Sequence, residues 1–276
     1  MTPRFTVIVP CFNDGATLCE AIDSVREQEP VEIVVVNDGS TDASTLAVLK
    51  SLAERPNVAV IDQPNGGIGA ARARGLSESS GTFVLPLDAD DELLPGTLGV
   101  MADTIEHHHE AAFCWGDYEL FGAEDGFYRS PRTWLPWTLT WVNPYPVSAL
   151  FRRSVLDATG GWSESLRSYE DWDLWLRLAD HGYRGVNAGR AVYKRRIHGD
   201  TRLLPQARRE HSQLYAELKK RNRSLYQRRR DLRRDEKPAA WKPVVFPILF
   251  GARKIVPLRA ENALKRAMMK RGAGLP

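Results

Sequence analysis

The chain has 276 residues, 43% hydrophobic and 26% charged, with a formal net charge of +3. This fits one large folded domain or a domain with an appendage, and excludes fibrous and compositionally disordered classes. Its three cysteines (Cys11, Cys19 and Cys114) make no metal-ligand spacing, no run approaches the ~20 apolar residues of a membrane span, and Met1 leads straight into a strand-like run, so a cytoplasmic chain without disulfides or signal peptide is expected.

Phe5 to Val9 is a β-rich run ending at Pro10, and Asn13-Asp14-Gly15 then opens a helical pattern through Leu18, Ile22 and Val25. Val31 to Val36 reads as a second strand. It ends in the polar run Asn37 to Asp42, with Asp42 as N-cap of a helix carrying Leu46 and Leu49. Val58 to Ile61 is a third strand. Asn65-Gly66-Gly67-Ile68-Gly69 turns into a helix through Leu76, and Gly81 to Leu87 is the fourth strand. Strands alternating with helices predict a parallel, doubly wound sheet with right-handed crossovers.

Phe83 to Leu87 shows no alternation, as in a strand buried on both faces, and runs into Asp88, Asp90 and Asp91. Clustered carboxylates repel one another, and a hard cation such as Mg²⁺ or Mn²⁺ relieves that repulsion. The alternative is an acidic turn capping a helix from Glu92 to Met101. In a parallel sheet Cys11–Gly15, Asn37–Asp42 and Asp88–Asp91 share the carboxyl edge, where such folds bind nucleotides. The Gly-rich segment has neither a Walker pattern nor a Gly-x-Gly-x-x-Gly after the first strand, which counts against P-loop ATPases and simple dehydrogenases. Arg72 and Arg74 are both able to pair with phosphate. Arg72 is read as part of a solvated helix face.

The middle of the chain interleaves Trp115, Trp134, Trp137 and Trp141 with prolines, the texture of a sugar-lining groove or of irregular core. Trp172, Trp175, Leu176 and Ala179 fall on one helical stripe, which puts Glu170 and Asp171 at a helix N-terminus. Val192 to Ile197 reads as a strand followed by His198. From Leu203 onward the chain is basic and helix-like, with 20 Lys and Arg against 6 Asp and Glu, whereas the preceding 202 residues hold 18 against 29. An apolar patch, Trp241 to Phe250, interrupts it, and a second basic helix-like stretch runs to Lys270. This tail suits the inner face of an anionic membrane. The alternative, ranked slightly behind, is a patch packed on the catalytic body with the charges as a solvated face or a homodimer seam.

The motif order resembles the family 2 glycosyltransferases of the GT-A fold. The motifs are Val9-Pro10-Cys11-Phe12-Asn13, Val36-Asn37-Asp38-Gly39-Ser40-Thr41-Asp42, Asn65-Gly66-Gly67 with Arg74-Gly75, Asp88-Ala89-Asp90-Asp91, Gly160-Gly161-Trp162 and Glu170-Asp171-Trp172-Asp173. The resemblance runs from about Thr6 to Thr201. It implies a GT-A type, mostly parallel Rossmann-like sheet flanked by helices over residues 1–202; residues 203–276, which the resemblance does not cover, are read from their own pattern as a basic, mainly helical extension. It further implies inverting transfer from a nucleotide-sugar donor, UDP-linked by preference, to a glycan or lipid-linked acceptor, with Mn²⁺ or Mg²⁺ as cofactor. Pro10 and Asp38 would hold the nucleobase, with Phe12, Asn13, Asn65, Gly67 and Ala89 around the donor. The family often has Tyr at the position of Phe12. Arg74 would lie near the uracil or diphosphate, Asp88 near the ribose, and Asp90 and His198 at the metal. Asp171 would be the base and Glu170 its orienting neighbour. The competing classes are a nucleotidyltransferase, which the absence of Lys or Arg in Cys11–Gly15 opposes, and a non-catalytic membrane or nucleic-acid binder. Nucleic acid is not expected as a partner.

Overall fold

The structure, a computed structural model, describes residues 3–166, 168–198 and 203–252, with the side chains of 203–209 outside that description. The expected alternation is present as β1 (Phe5–Cys11), α1 (Gly15–Asp23), β2 (Val31–Asp38), α2 (Ala43–Leu52), β3 (Val58–Gln63), α3 (Ile68–Ser77) and β4 (Phe83–Pro86). Asp42 caps α2 as expected, its side chain accepting from the Thr45 N–H at 2.8 Å. The chain continues through β5 (Glu92–Leu93), α4 (Thr97–His107), β6 (Ala111–Gly122), β7 (Gly126–Tyr128), α5 (Pro136–Leu139), β8 (Leu150–Arg152), α6 (Arg153–Thr159), α7 (Glu170–Asp180) and β9 (Arg184–Ile197). The acidic turn does not cap a helix from Glu92, because Glu92 and Leu93 pair instead with Lys194 and Tyr193 of β9. The helix begins only at Thr97, after Pro95 and a left-handed Gly96.

The strands form one sheet in the order β3-β2-β1-β4-β8-β6-β9-β5, with β7 on β6. β3, β2, β1 and β4 run parallel, β8 enters antiparallel between β4 and β6, and β9 is parallel to β6. Alternate side chains of the central strands feed opposite faces. Phe5, Val7, Val9, Ile33 and Val35 pack with α1, α2 and α4, whereas Ile8 and Val84 pack with α3, α6 and α7. The strand ends expected to share an edge do so, because the parallel register sets Cys11 beside Asn37.

The C-terminal segment folds as α8 (Leu203–Arg221), α9 (Arg223–Gln227), α10 (Arg229–Glu236) and α11 (Lys242–Phe250). The expected stretch to Lys270 lies outside the described residues. Tyr215, Leu218 and Leu225 join the core formed by Trp172 and Trp175 of α7. Asp173, fully buried, accepts hydrogen bonds from Arg177 Nε at 2.9 Å, Arg221 Nε at 3.2 Å and Asn222 Nδ2 at 2.9 Å, fastening α8 and α9 to α7. Glu236 caps α5, accepting from the Trp137 N–H at 2.7 Å and the Thr138 N–H at 3.1 Å. The Phe246 ring stacks on Trp137 with centroids 5.5 Å apart. Half of the apolar patch therefore packs on the body: Phe246, Leu249 and Phe250 are buried, while Trp241, Val244 and Ile248 stay exposed. Burying each such side chain contributes about 1.5–3 kcal/mol. Among the described residues, no helix is long and apolar enough to cross a membrane.

Candidate active site

β4 ends at Pro86, and the Leu87 N–H still bonds to the Ile8 carbonyl, so the chain leaves the sheet only at Asp88. A tight turn, closed by the Asp91 N–H on the Asp88 carbonyl at 3.1 Å, then gathers Asp88, Asp90 and Asp91. One carboxylate oxygen from each lies within 4.8 Å of the others. The end of β9 lies across this turn. The Arg196 N–H donates to Asp91 Oδ1 at 2.9 Å, Arg196 Nε donates to the Asp90 carbonyl at 3.0 Å, and His198 Nε2 sits 2.6 Å from Asp90 Oδ2. Asp90 and His198, 108 residues apart in sequence, are thus brought together as expected. Burial first, then the charges of Asp88 and Asp90, pushes the Asp91 carboxyl up to about 8. Hard oxygen donors, one imidazole and mutual repulsion among the acids fit a divalent cation such as Mg²⁺ or Mn²⁺.

The loop after β2 closes around Asp38. Its carboxylate accepts from the Gly66 and Gly67 N–H groups, each at 2.8 Å, and from Gln63 Nε2 at 2.7 Å, while Asn65 Nδ2 donates to the Asp38 carbonyl at 2.9 Å. Asp38, Asn65 and Gly67 therefore form one unit, with Asp38 buried as its anchor. Gly67 has φ of +87°, a conformation that only glycine adopts without strain. Asn13, at φ +59°, uses its Oδ1 to accept the Thr41 and Asp42 N–H groups at 2.8 and 2.9 Å, tying the β1 and β2 loops together. Phe12 beside it is 46% exposed, whereas Pro10 and Ala89 are buried in the floor.

The structure corrects the reading of Arg72. It is not on a solvated face: it is 1% exposed, and its guanidinium donates to Asp88 Oδ1 at 2.6 Å and to Glu170 Oε1 at 2.8 Å. A helix turns about 100° per residue, so Arg72 and Arg74 point about 200° apart. Arg74 projects outward, half exposed and paired with Glu78 at 2.8 Å, and is not among the residues gathered at the carboxylates. The overlooked signal was the small-residue face of α3. At Gly69 a Cβ would meet the Ser163 carbonyl at 2.3 Å and the Glu170 Cβ at 3.2 Å, so α3 presses against the start of α7 and carries Arg72 inward.

Glu170 and Asp171 open α7, as expected. Burial, then the Asp171 charge, pushes Glu170 up to about 7, against the opposing pull of Arg72. Asp171 is raised by burial in the same way, with Arg72 again opposing. Asp171 Oδ1 accepts from the Trp172 N–H at 2.7 Å, and Oδ2 accepts from Asn143 Nδ2 at 2.9 Å. The Tyr145 N–H fixes the Asn143 amide by donating to its Oδ1 at 3.0 Å, so the Nδ2 donor must face Asp171. Asn143 was not singled out from sequence; it lies in the Trp- and Pro-rich stretch, where spacing says little. A carboxylate so held keeps lone pairs free to receive a proton. A cavity of about 600 Å³ between α10 and the starts of β6 and β9 contains none of these carboxylates.

A curled, mostly parallel sheet flanked by helices, with an acidic turn at its carboxyl edge, is the architecture of a GT-A glycosyltransferase. Residues 6–160 match the family model described as glycosyl transferase family 2, and the chain belongs to that family. Relatives include the uncharacterized glycosyltransferase YwdF of Bacillus subtilis (strain 168), 29% identical over 203 residues covering 69% of this chain and 74% of that protein. The chondroitin synthase of Pasteurella multocida (strain Pm70) is 24% identical over 204 residues, 72% of this chain but 21% of the synthase. Among solved structures, S. aureus TarS residues 1–349 in complex with UDP superposes with a TM-score of 0.63 at 21% identity, covering 97% of this chain and 79% of that one.

Proposed function

We propose that this glycosyltransferase transfers a sugar, with inversion, from a UDP-sugar to a hydroxyl of a glycan or lipid-linked acceptor. The observation that carries the reading is the Arg72 bridge, which joins the Asp88 turn to Glu170, the neighbour of the proposed base, within one site. Asp90 and His198, with Asp91 beside them, would hold a Mn²⁺ or Mg²⁺ ion, which supplies charge stabilisation for a diphosphate leaving group, and Asp88 would reach the ribose. The Asn65–Gly67 loop anchored by Asp38, with Pro10, Phe12, Asn13 and Ala89, would enclose the nucleoside. Arg74 would serve there only after leaving Glu78.

In this reading the acceptor oxygen attacks the anomeric carbon while the bond from that carbon to the diphosphate oxygen breaks. The diphosphate departs with the bonding electrons, and the acceptor proton passes to Asp171. Arg72 and Glu170 hold the start of α7 so that Asp171 stays oriented. Attachment to an anionic membrane face through the tail belongs to the same reading and is supported by exposed Trp241, Val244 and Ile248 among basic segments. Calorimetry of UDP with and without Mn²⁺ or Mg²⁺ tests the donor site. UDP should bind with metal and at least about tenfold more weakly with chelator, and Asp90→Ala should abolish that difference. Equal affinity with and without metal in the unaltered protein would refute the metal assignment.

A further inference from the structure

A cavity of about 230 Å³ lies beside Asp171, and its wall comes from both the catalytic body and the C-terminal helices. Trp141, Asn143 and Trp172 line it from the body, and His211 of α8 and Phe250 of α11 from the tail. We infer that this cavity is the acceptor subsite, that it takes one neutral sugar ring on an aromatic wall, and that the C-terminal helices complete it. The inference rests on the proposed function and adds to it the class of acceptor and the part played by the tail.

Three observations converge on the cavity. The first is its chemistry. Aromatic faces alongside a few oriented polar groups suit a pyranose, whose C–H-rich face stacks while its hydroxyls bond. The cavity falls below the roughly 300–1,000 Å³ of ordinary ligand sites, enough for one ring rather than an oligosaccharide. Among the described residues none of those lining it is Lys or Arg, which favours a neutral ring over an acceptor phosphate or carboxylate.

The second is orientation. The Asn143 amide and the Trp172 N–H each occupy one oxygen of Asp171 and leave its remaining lone pairs for an incoming hydroxyl.

The third is the attachment of the tail. His211, 3% exposed, has Nε2 at 3.1 Å from the Gly251 carbonyl and Nδ1 at 2.9 Å from the Tyr169 hydroxyl. A carbonyl accepts only, so Nε2 carries the hydrogen and donates to Gly251. Tyr169 is the N-cap of α7 and sits at φ +66°, a strained conformation for an aromatic residue. His211 therefore links the cap of the helix that bears Asp171 to the end of α11, beside Phe250. Arg229 of α10 secures the opposite wall, its guanidinium 3.7 Å from the Trp141 ring centroid and its Nε donating to Thr140 Oγ1 at 2.8 Å.

The test is saturation-transfer NMR on the full chain with UDP and Mg²⁺. The probes are the methyl β-pyranosides of glucose, galactose and N-acetylglucosamine, with methyl β-glucuronide as the anionic control. At least one neutral glycoside should receive saturation at its ring C–H protons. Phe250→Leu keeps apolar bulk and packing but loses the ring, and Trp141→Phe shrinks the wall. Each should lower glycoside affinity about two- to tenfold, the range of one aromatic contact, with UDP affinity unchanged. UDP binding with no neutral glycoside bound, preference for the glucuronide, or unaltered glycoside affinity in both variants overturns the inference and leaves the donor site standing. Absence of UDP binding in the same sample overturns the donor reading and the inference together.

Discussion

Arg72→Met removes a guanidinium that reaches two carboxylates and keeps most of the aliphatic stem. Breaking a buried pair by deleting one partner costs about 3–5 kcal/mol. Glu170 is 9% exposed and loses nearly all its compensation, while Asp88, at 31%, is relieved by water, so the lower end, about 3 kcal/mol, applies at alkaline pH. For a chain of this size that lowers Tm by about 6–12 °C. The loss also depends on pH. Without the cation, the Glu170 carboxyl rises beyond the value of about 7 it has beside Arg72. A carboxyl with a raised folded pKa keeps its proton in the folded state after the unfolded chain has released its own, so stability falls as pH rises through that interval. The deficit is therefore small near about pH 5.5, where Glu170 is protonated with or without Arg72, and full near about pH 8. Thermal unfolding followed by circular dichroism at both pH values reads it directly. A drop below about 3 °C at the higher pH, or the same drop at both, would show that the bridge is not holding these carboxylates.

Asp171→Asn should keep UDP affinity and lower kcat by ~10²-fold or more, and near-normal turnover would dismiss it as the base. In the unaltered enzyme the acid limb of kcat/KM should lie above the ordinary aspartate range, because the base must be ionised and burial holds Asp171 up against Arg72. A limb at about 4 would mean that another group titrates. Asp173→Asn should cost about 2–4 kcal/mol by urea unfolding, since an amide nitrogen would face Arg177 or Arg221, yet leave kcat at low temperature within a few-fold; a large kcat loss without a stability loss would contradict its structural role. Replacing Val244 and Ile248, the two most exposed side chains of the patch, with Ser should change Tm by no more than a few degrees and weaken co-sedimentation with vesicles containing anionic lipid by at least about tenfold at low salt. Negligible binding of the unaltered chain to those vesicles would end the membrane proposal.

The sheet was legible because its signals are local. Phe83–Leu87 is a continuous apolar run, Phe5–Val9 and Val31–Val36 are broken only by Thr6 and Glu32, and each ends in the polar cluster that the parallel register then places on one edge. The pairing of Asp90 with His198 followed from motif order. The inward path of Arg72 did not, because an arginine beside alanines reads as surface unless the glycine face next to it is taken as a close helix contact. The role of the Trp-rich middle was open for a similar reason. Trp115 and Trp137 went to the core and Trp141 to the cavity wall, and nothing in their spacing separates these outcomes. The tail was ambiguous because α11 is apolar on both sides, so its sequence cannot say which side packs.

The acids of α7 show what decides a residue's role once composition is fixed. Glu170, Asp171 and Asp173 lie in one helical turn with similar charge, and all three are favoured there by the helix dipole. A rotation of about 100° per residue sends them apart. Glu170 meets Arg72 on α3, Asp171 faces Asn143 and the small cavity, and Asp173 enters the junction with α8 and α9. The roles are also coupled. The network that buries Asp173 sets the position of the tail against α7, and the tail in turn holds His211 on the cap residue that starts the same helix. A shift of the C-terminal helices would bear on Asp171 through Tyr169, and this is the path by which the proposed acceptor subsite would depend on the tail.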